Sequence, residues 1–289
     1  MKLSRLDGPF GWAAEDVDYY SEDDAIIVRS KIAKDRLVVL KNQEPVPAEK
    51  LVNFYKLIGD VVAQTKEVVG SGVDGHQELV RVRRNGLFTG DEDGELEWHC
   101  AGMNRNGAEN IVAMYMHMSS FHGGDTWFSD AKTAYEEFPE KEELDEVISK
   151  TVNYPEKMLV GNTHYKNVFA DEKTYKAFKD IDGVPAHTKQ TNRKKLVTLH
   201  PLTQEKGLHF PWSVIRGFHG MDKKKSHALY YKLKEHTMSD KYVYKHKWDM
   251  YDACLSDQEH SLHRRDSYDG DRELWRAGIW YRPEGAVAA

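Results

Sequence analysis

The 289-residue sequence predicts a mainly β chain with flanking helices, an α+β arrangement whose strands form a sandwich or barrel. Three observations predict it. Short runs rich in Val, Ile, Leu and aromatic residues recur, bounded by Gly, Pro and Asp turns. They never settle into the βαβ rhythm of a parallel sheet, and only a few stretches carry helical spacing. No self-similar period of ~20–50 residues is visible, which sets solenoids and propellers aside.

Along the chain, Ala25-Ile26-Ile27-Val28 reads as a short strand and Arg36–Leu40 as a second. Pro45 and Pro47 stop that run. Helical spacing takes over at Leu51, Val52, Phe54, Tyr55, Leu57 and Ile58, with Pro47 where a helix can begin. Strand patterning returns at Leu79–Val82 and Asn110–Met116, and Met114, Met116 and Met118 are expected to share one core-facing side of a strand. A short helix is expected from Asp130 to Phe138, because a residue before proline is pushed out of the helical region. Residues 141–195 are charged and weakly patterned, and read as a lid-like insertion in a single domain spanning 1–289. Strands at Leu196–Leu199 and Gly207–Phe210, a helix at Ser226–His236 and a closing strand at Trp275–Tyr281 complete the order.

Composition bounds the function. The chain carries 41 Lys and Arg against 47 Asp and Glu, a formal charge of -6, which lacks the basic face that non-specific nucleic-acid binding needs. Its 40% hydrophobic and 11% aromatic content supports a packed core rather than disorder. No apolar run approaches the ~18 residues of a membrane span, and the opening MKLSRLDGPFGW holds no apolar leader segment. Two cysteines, Cys100 and Cys254, cannot build a disulfide framework. The expectation is a cytoplasmic protein acting on a small molecule, with no nucleic-acid or membrane partner.

Most of the 14 histidines, such as His76, His187 and His227, are expected to be structural. HExxH, CxxC, GxSxG and Walker signatures are all absent. Three segments stand out together: Trp98-His99-Cys100-Ala101; Gly123-Gly124-Asp125-Thr126-Trp127-Phe128; and Asp257-Gln258-Glu259-His260-Ser261-Leu262-His263, followed by Arg272 and Arg276. The ordered set resembles the taurine dioxygenase (TauD/TfdA) family of Fe(II)/2-oxoglutarate enzymes, which carry WHxD, a GGDT turn, a WDN-like segment before a distal His, and late arginines. The stretch Ala131–Pro139 and the stretch from His200-Pro201-Leu202-Thr203 to Lys206-Gly207-Leu208 also fit that family, so the resemblance runs from about Arg36 to Tyr281.

The resemblance implies a double-stranded β-helix, a cupin-like jelly roll whose open end holds Fe(II), with 2-oxoglutarate and O2 as cosubstrates. It implies His99 and His263 as metal ligands, since Asp257 precedes His263 by six residues as the family's Asp-Asn pair precedes its distal ligand. His260 is the rival distal ligand, otherwise a surface residue of a polar strand. The resemblance also implies that Thr126 and Arg272 bind the far carboxylate of 2-oxoglutarate and that Arg276 meets an anionic substrate group. The spacing from His263 to Arg272 is slightly shorter than the family's, so Arg272 and Arg276 can exchange those roles.

One ligand is missing. The family pattern is His-x-Asp, whereas this sequence has His99-Cys100-Ala101, and Ala cannot bind a metal. Ala or Gly at that position marks the 2-oxoglutarate-dependent aliphatic halogenases, in which chloride fills the vacancy; halogenation is therefore the leading expectation. Two others stand beside it. One is a hydroxylase, natural or with an engineered ligand change, completed by Glu97, Glu109 or water; the other is a non-catalytic metabolite-binding jelly roll. Cys100, next to His99 on a strand, is expected to face away from the metal and pack as a small hydrophobe.

Overall fold

The computed structural model describes residues 1–63, 72–83, 96–100, 109–152, 191–212 and 215–282. Among these the chain begins with β1 (Lys2–Arg5), β2 (Trp12–Glu15), α1 (Glu22–Asp35), β3 (Leu37–Leu40), α2 (Ala48–Ile58), β4 (Asp60–Val61) and β5 (Val80–Arg83). It continues through β6 (Leu96–His99), β7 (Ile111–Gly123), β8 (Thr126–Asp130), α3 (Ala131–Glu136), β9 (Ile148–Val152) and β10 (Thr191–Lys195). Then come β11 (Val197–Leu199), β12 (Lys206–Leu208), β13 (Ile215–Phe218) and α4 (Lys223–Thr237). It ends with β14 (Val243–His246), β15 (Ala253–Asp257), β16 (Ser261–Arg265) and β17 (Tyr268–Trp280). No described helix is long and apolar enough to cross a membrane.

Two sheets position the site. The larger has eight strands, running β1-β2-β3-β15-β7-β17-β4 with β5 also paired to β17. The smaller has four, in the order β14-β8-β16-β6. Strand alternation sorts the residues of the large sheet into two layers. Ile111, Ala113 and Tyr115 of β7, with Val38 and Leu40 of β3, join Val28 and Ile32 of α1 and Leu51, Phe54 and Tyr55 of α2 in one core. Their neighbours Val112, Met114, Met116, Leu37 and Val39 face the other way and meet Phe128 of the small sheet. A third core covers the outer face of the small sheet, where Leu262 and Trp98 pack with Tyr135, Phe210, Tyr230 and Leu233.

The Ala25–Val28 segment is helix, not strand. Ser21 caps α1 by accepting the Asp24 N–H at 3.1 Å, and Glu22, Asp23 and Asp24 crowd its positive end. Ala25, Val28 and Ile32 make its buried stripe, while Ile26 and Ile27 are 44% and 40% exposed. Met118 also departs from expectation, being 41% exposed. The β7–β17 register pairs Glu273 with Met118 but Leu274 with Met116, so His117 is an extra, bulged residue that breaks the methionine row.

Of the expected insertion, 141–152 and 191–195 are described; the rest lies outside the described residues. Its two ends meet, because β9 and β10 pair antiparallel and β9 also pairs with β13.

Candidate active site

The small sheet brings the two expected ligands together. His99 closes β6 and His263 sits mid-β16, and they are cross-strand partners. Their ring centroids lie 4.3 Å apart, with the planes at 50°. Trp98, Cys100 and Leu262 belong to the outer core, so alternation turns His99 and His263 inward. Burial, then the charges of His99 and Arg276, hold His263 well below the usual imidazole range. It is therefore neutral, the form that offers a lone pair to a metal. Its buried Nδ1 makes no hydrogen bond among the described residues, which is costly unless a ligand joins it. The pair fits the two-imidazole part of an Fe(II) site. Among the described residues no group of three His, Cys, Asp or Glu side chains comes together to hold a metal. Ala101 lies outside the described residues, as does the side chain of Glu97.

His260 belongs elsewhere and is not at the surface. It is fully buried, and its Nε2 lies 3.1 Å from both the hydroxyl and the carbonyl oxygen of Thr198. Its backbone N–H donates to Asp257 Oδ1 at 2.7 Å. Asp257 is the hub of this buried network: His200 Nε2 is 3.0 Å from its Oδ2, the Tyr281 hydroxyl donates to the same oxygen at 3.3 Å, and Arg36 lies 3.8 Å away. Burial alone would raise the Asp257 carboxyl, but the His200 bond and the Arg36 charge outweigh it and hold it low. The network fixes the turn from β15 into β16, and so the height of His263.

Thr126 opens β8 directly after the Gly123-Gly124 turn. Both glycines have positive φ, 83° and 72°, and a Cβ on Gly123 would lie 2.5 Å from the Ser267 carbonyl oxygen. The turn carries the chain from the large sheet to the small one and buries Thr126. Trp248 Nε1 donates to its hydroxyl oxygen at 2.9 Å. Since an indole only donates, the Thr126 proton remains available for an acceptor.

The two late arginines differ. Arg272 is buried on β17, and burial together with the charge of Arg265 pushes it down to about 9. Arg276 is part-exposed, and its Nη2 lies 3.2 Å from Oε1 of buried Glu109. Glu109 is thus engaged with an arginine, and no metal set with the two histidines forms around it among the described residues.

Residues 4–277 match the family described as taurine catabolism dioxygenase TauD, TfdA. The chain belongs to the TauD, TfdA family. It is similar to the alpha-ketoglutarate-dependent 2,4-dichlorophenoxyacetate dioxygenase of Burkholderia sp. (strain RASC), 28% identical over 159 residues, or 54% of this chain and 48% of that one. The match thus spans about half the length of that curated relative. In fold the TauD, TfdA chain is similar to AAD-2, solved in complex with Mn(II) and N-oxalylglycine, at a TM-score of 0.74 and 18% identity over 98% of each chain. It is also similar to a taurine dioxygenase from Burkholderia xenovorans, at a TM-score of 0.73 and 18% identity over 99% of this chain and 94% of that one.

Around this TauD, TfdA site lie residues that the motifs do not single out. Trp248 reaches Thr126, and Arg265 is the cross-strand partner of Thr126. Tyr268 lies under both Arg265 and Arg272. The signal available for Arg265 was strand alternation: two residues beyond His263 returns to the same face.

Proposed function

We propose that this chain is an Fe(II)- and 2-oxoglutarate-dependent dioxygenase that oxidises a C–H bond of a small molecule. The observation that carries this is the inward, in-register His99–His263 pair, on the same small sheet as the buried Thr126. The two sheets, with the site between them, read as the double-stranded β-helix, and 1–289 as one domain with a lid-like insertion at about 141–195. Bound iron supplies the activation of O2 that is coupled to oxidation of 2-oxoglutarate.

The chain's own residues select and orient. His99 and His263 offer imidazoles from neighbouring strands, a rigid spacing set by the sheet. Thr126, its oxygen already accepting from Trp248, donates its proton, and Arg272 offers a fork of parallel N–H groups. An all-donor seat suits a carboxylate, so we assign the far carboxylate of 2-oxoglutarate to Thr126 and Arg272. Arg276, close enough to depress His263 and held by Glu109, faces the substrate side and suits an anionic substrate group. The relatives point the same way: one is named for an aryloxyacetate, and another was solved with a divalent cation and N-oxalylglycine.

Ala101 favours one alternative, halogenation with chloride in place of the carboxylate ligand, and the relatives' names lend it no support. The test has two parts. Anaerobic Fe(II) plus 2-oxoglutarate is expected to give a weak visible charge-transfer band, abolished in His99→Ala and His263→Ala; no band in the wild type removes the iron reading. With a substrate in hand, products at saturating chloride are then compared for wild type and Ala101→Asp. Oxygen insertion independent of halide, faster in Ala101→Asp, supports the hydroxylase. A chlorinated wild-type product that Ala101→Asp no longer makes establishes the halogenase instead.

A further inference from the structure

Arg265 stands two residues beyond His263 on β16, and its cross-strand partner on β8 is Thr126. Cross-strand partners project side by side from the same face. Arg265 is only 6% exposed and Arg272 only 3%. Their guanidinium carbons lie 4.8 Å and 5.4 Å from the centroid of one ring, that of Tyr268. The two cations therefore meet at one aromatic ring, from different sheets, with Thr126 the cross-strand neighbour of Arg265. Each resists the other's charge: after burial, the charge of Arg265 is the largest cause of the lowering of Arg272 to about 9. Two guanidinium groups gathered at one place out of water suit an anion that accepts hydrogen bonds from both.

Building on the cosubstrate assignment above, we propose that Arg265 is a second guanidinium of that seat, binding the far carboxylate of 2-oxoglutarate together with Arg272 and Thr126. The family resemblance gives that carboxylate to one threonine and one arginine; here a second fork closes on it. A carboxylate has two oxygens with about four acceptor directions, enough for two guanidinium forks and one hydroxyl. The seat then discriminates strongly for cosubstrates bearing a far carboxylate and weakly among those lacking one.

The test is calorimetric titration of the Mn(II)-loaded protein with 2-oxoglutarate and with 2-oxobutyrate, which keeps the 2-oxo acid end and lacks the far carboxylate. Wild type, Arg265→Gln, Arg265→Lys and Arg272→Gln are compared, with melting temperatures recorded in the absence of ligand. Arg265→Gln is expected to weaken 2-oxoglutarate by about tenfold or more, the loss of a charge-assisted bond, while 2-oxobutyrate binding stays within about twofold. Arg265→Lys, which keeps the charge and loses the fork, is expected to fall between, and it carries the comparison if Arg265→Gln does not fold. Wild-type affinity for 2-oxoglutarate in Arg265→Gln, with Arg272→Gln impaired, overturns the proposal and leaves the cosubstrate seat intact. Parallel loss of both acids in Arg265→Gln, with a lowered melting temperature, overturns it too, by making Arg265 structural. If the wild type does not distinguish the two acids at all, the cosubstrate assignment itself fails.

Discussion

His260 and His263 are three residues apart, and the fold separates their roles completely. His263 presents a neutral ring to the interior beside His99. His260 turns to Thr198 and is enclosed by the Asp257 network. A Cβ on Gly207 would lie 2.5 Å from its ring, so the ring packs directly on the Gly207 backbone. His263→Ala is therefore expected to abolish metal binding with little loss of fold. His260→Ala is expected to keep metal binding and to cost about 1–3 kcal/mol of stability, since it strips buried partners of their bonds. Equilibrium dialysis against a divalent metal, alongside denaturant unfolding, reads both. A His260→Ala protein of normal stability that binds no metal reverses the assignment. The sequence made His99, Thr126, His263, Arg272 and Arg276 legible because they stand in a recognisable order. It hid Arg265, since Arg264-Arg265 looks like a surface pair, and it hid the burial of His260, whose network is built from residues as distant as Arg36, Thr198, His200 and Tyr281.

At the scale of elements, β17 is the strand on which the site hangs. Its 13 residues pair with β7 on one side and with β5 and β4 on the other. Glu273 and Trp275 face the helical side, where Trp275 Nε1 donates to Glu273 at 2.8 Å and Arg81 and Arg83 pair with the same carboxylate. Arg272, Leu274, Arg276 and Gly278 alternate onto the inner side. Gly278 is required there: a Cβ would lie 2.3 Å from Glu109 Cγ and 2.8 Å from Oε1. Gly278→Ala is thus expected to displace Glu109, break its pair with Arg276 and cost about 1–3 kcal/mol by overpacking. A fall in melting temperature together with altered substrate affinity, but unchanged 2-oxoglutarate affinity, is the expected pattern. An unaltered protein removes the claim that Glu109 holds Arg276. Only the Trp275–Tyr281 part of this strand was legible as sequence, because the preceding Asp269-Gly270-Asp271-Arg272-Glu273 run looks like a loop until its register partners on β7, from His122 to Met118, hold it extended. Helix α1 was hidden the opposite way. Four apolar residues in a row look like strand, and the deciding signals are the Ser21 cap and the stripe reaching on to Ile32.

The whole molecule is layered, with helices over the large sheet, an apolar interior between the sheets, and a third core beyond the small one. That layering buries titratable histidines, which gives the stability a predictable pH dependence. Burial, with the charge of Lys194 next, pushes His209 down to about 4. Burial pushes His260 down to about 3 despite the opposing pull of Asp257. In the unfolded chain both titrate near 6.5. Above that pH neither state holds the extra proton and the contribution is complete. As pH falls below about 6.5 the unfolded chain takes up protons that the native state refuses, so stability falls with pH, approaching about 1.4 kcal/mol per pH unit for each histidine. The loss from His209 continues down to about 4 and that from His260 to about 3. Asp130 and Glu259, raised chiefly by burial, act with the opposite sign, from the ordinary carboxylate range upward. The histidine share is therefore read from the difference between the wild type and a variant lacking one buried ring. Denaturant midpoints of the metal-free protein at pH 7.5, 6.5, 5.5 and 5.0 are expected to hold level and then decline. His209→Gln is expected to decline less steeply by the share of one proton. A His209→Gln protein that declines as steeply as the wild type contradicts the burial of His209 as a neutral group.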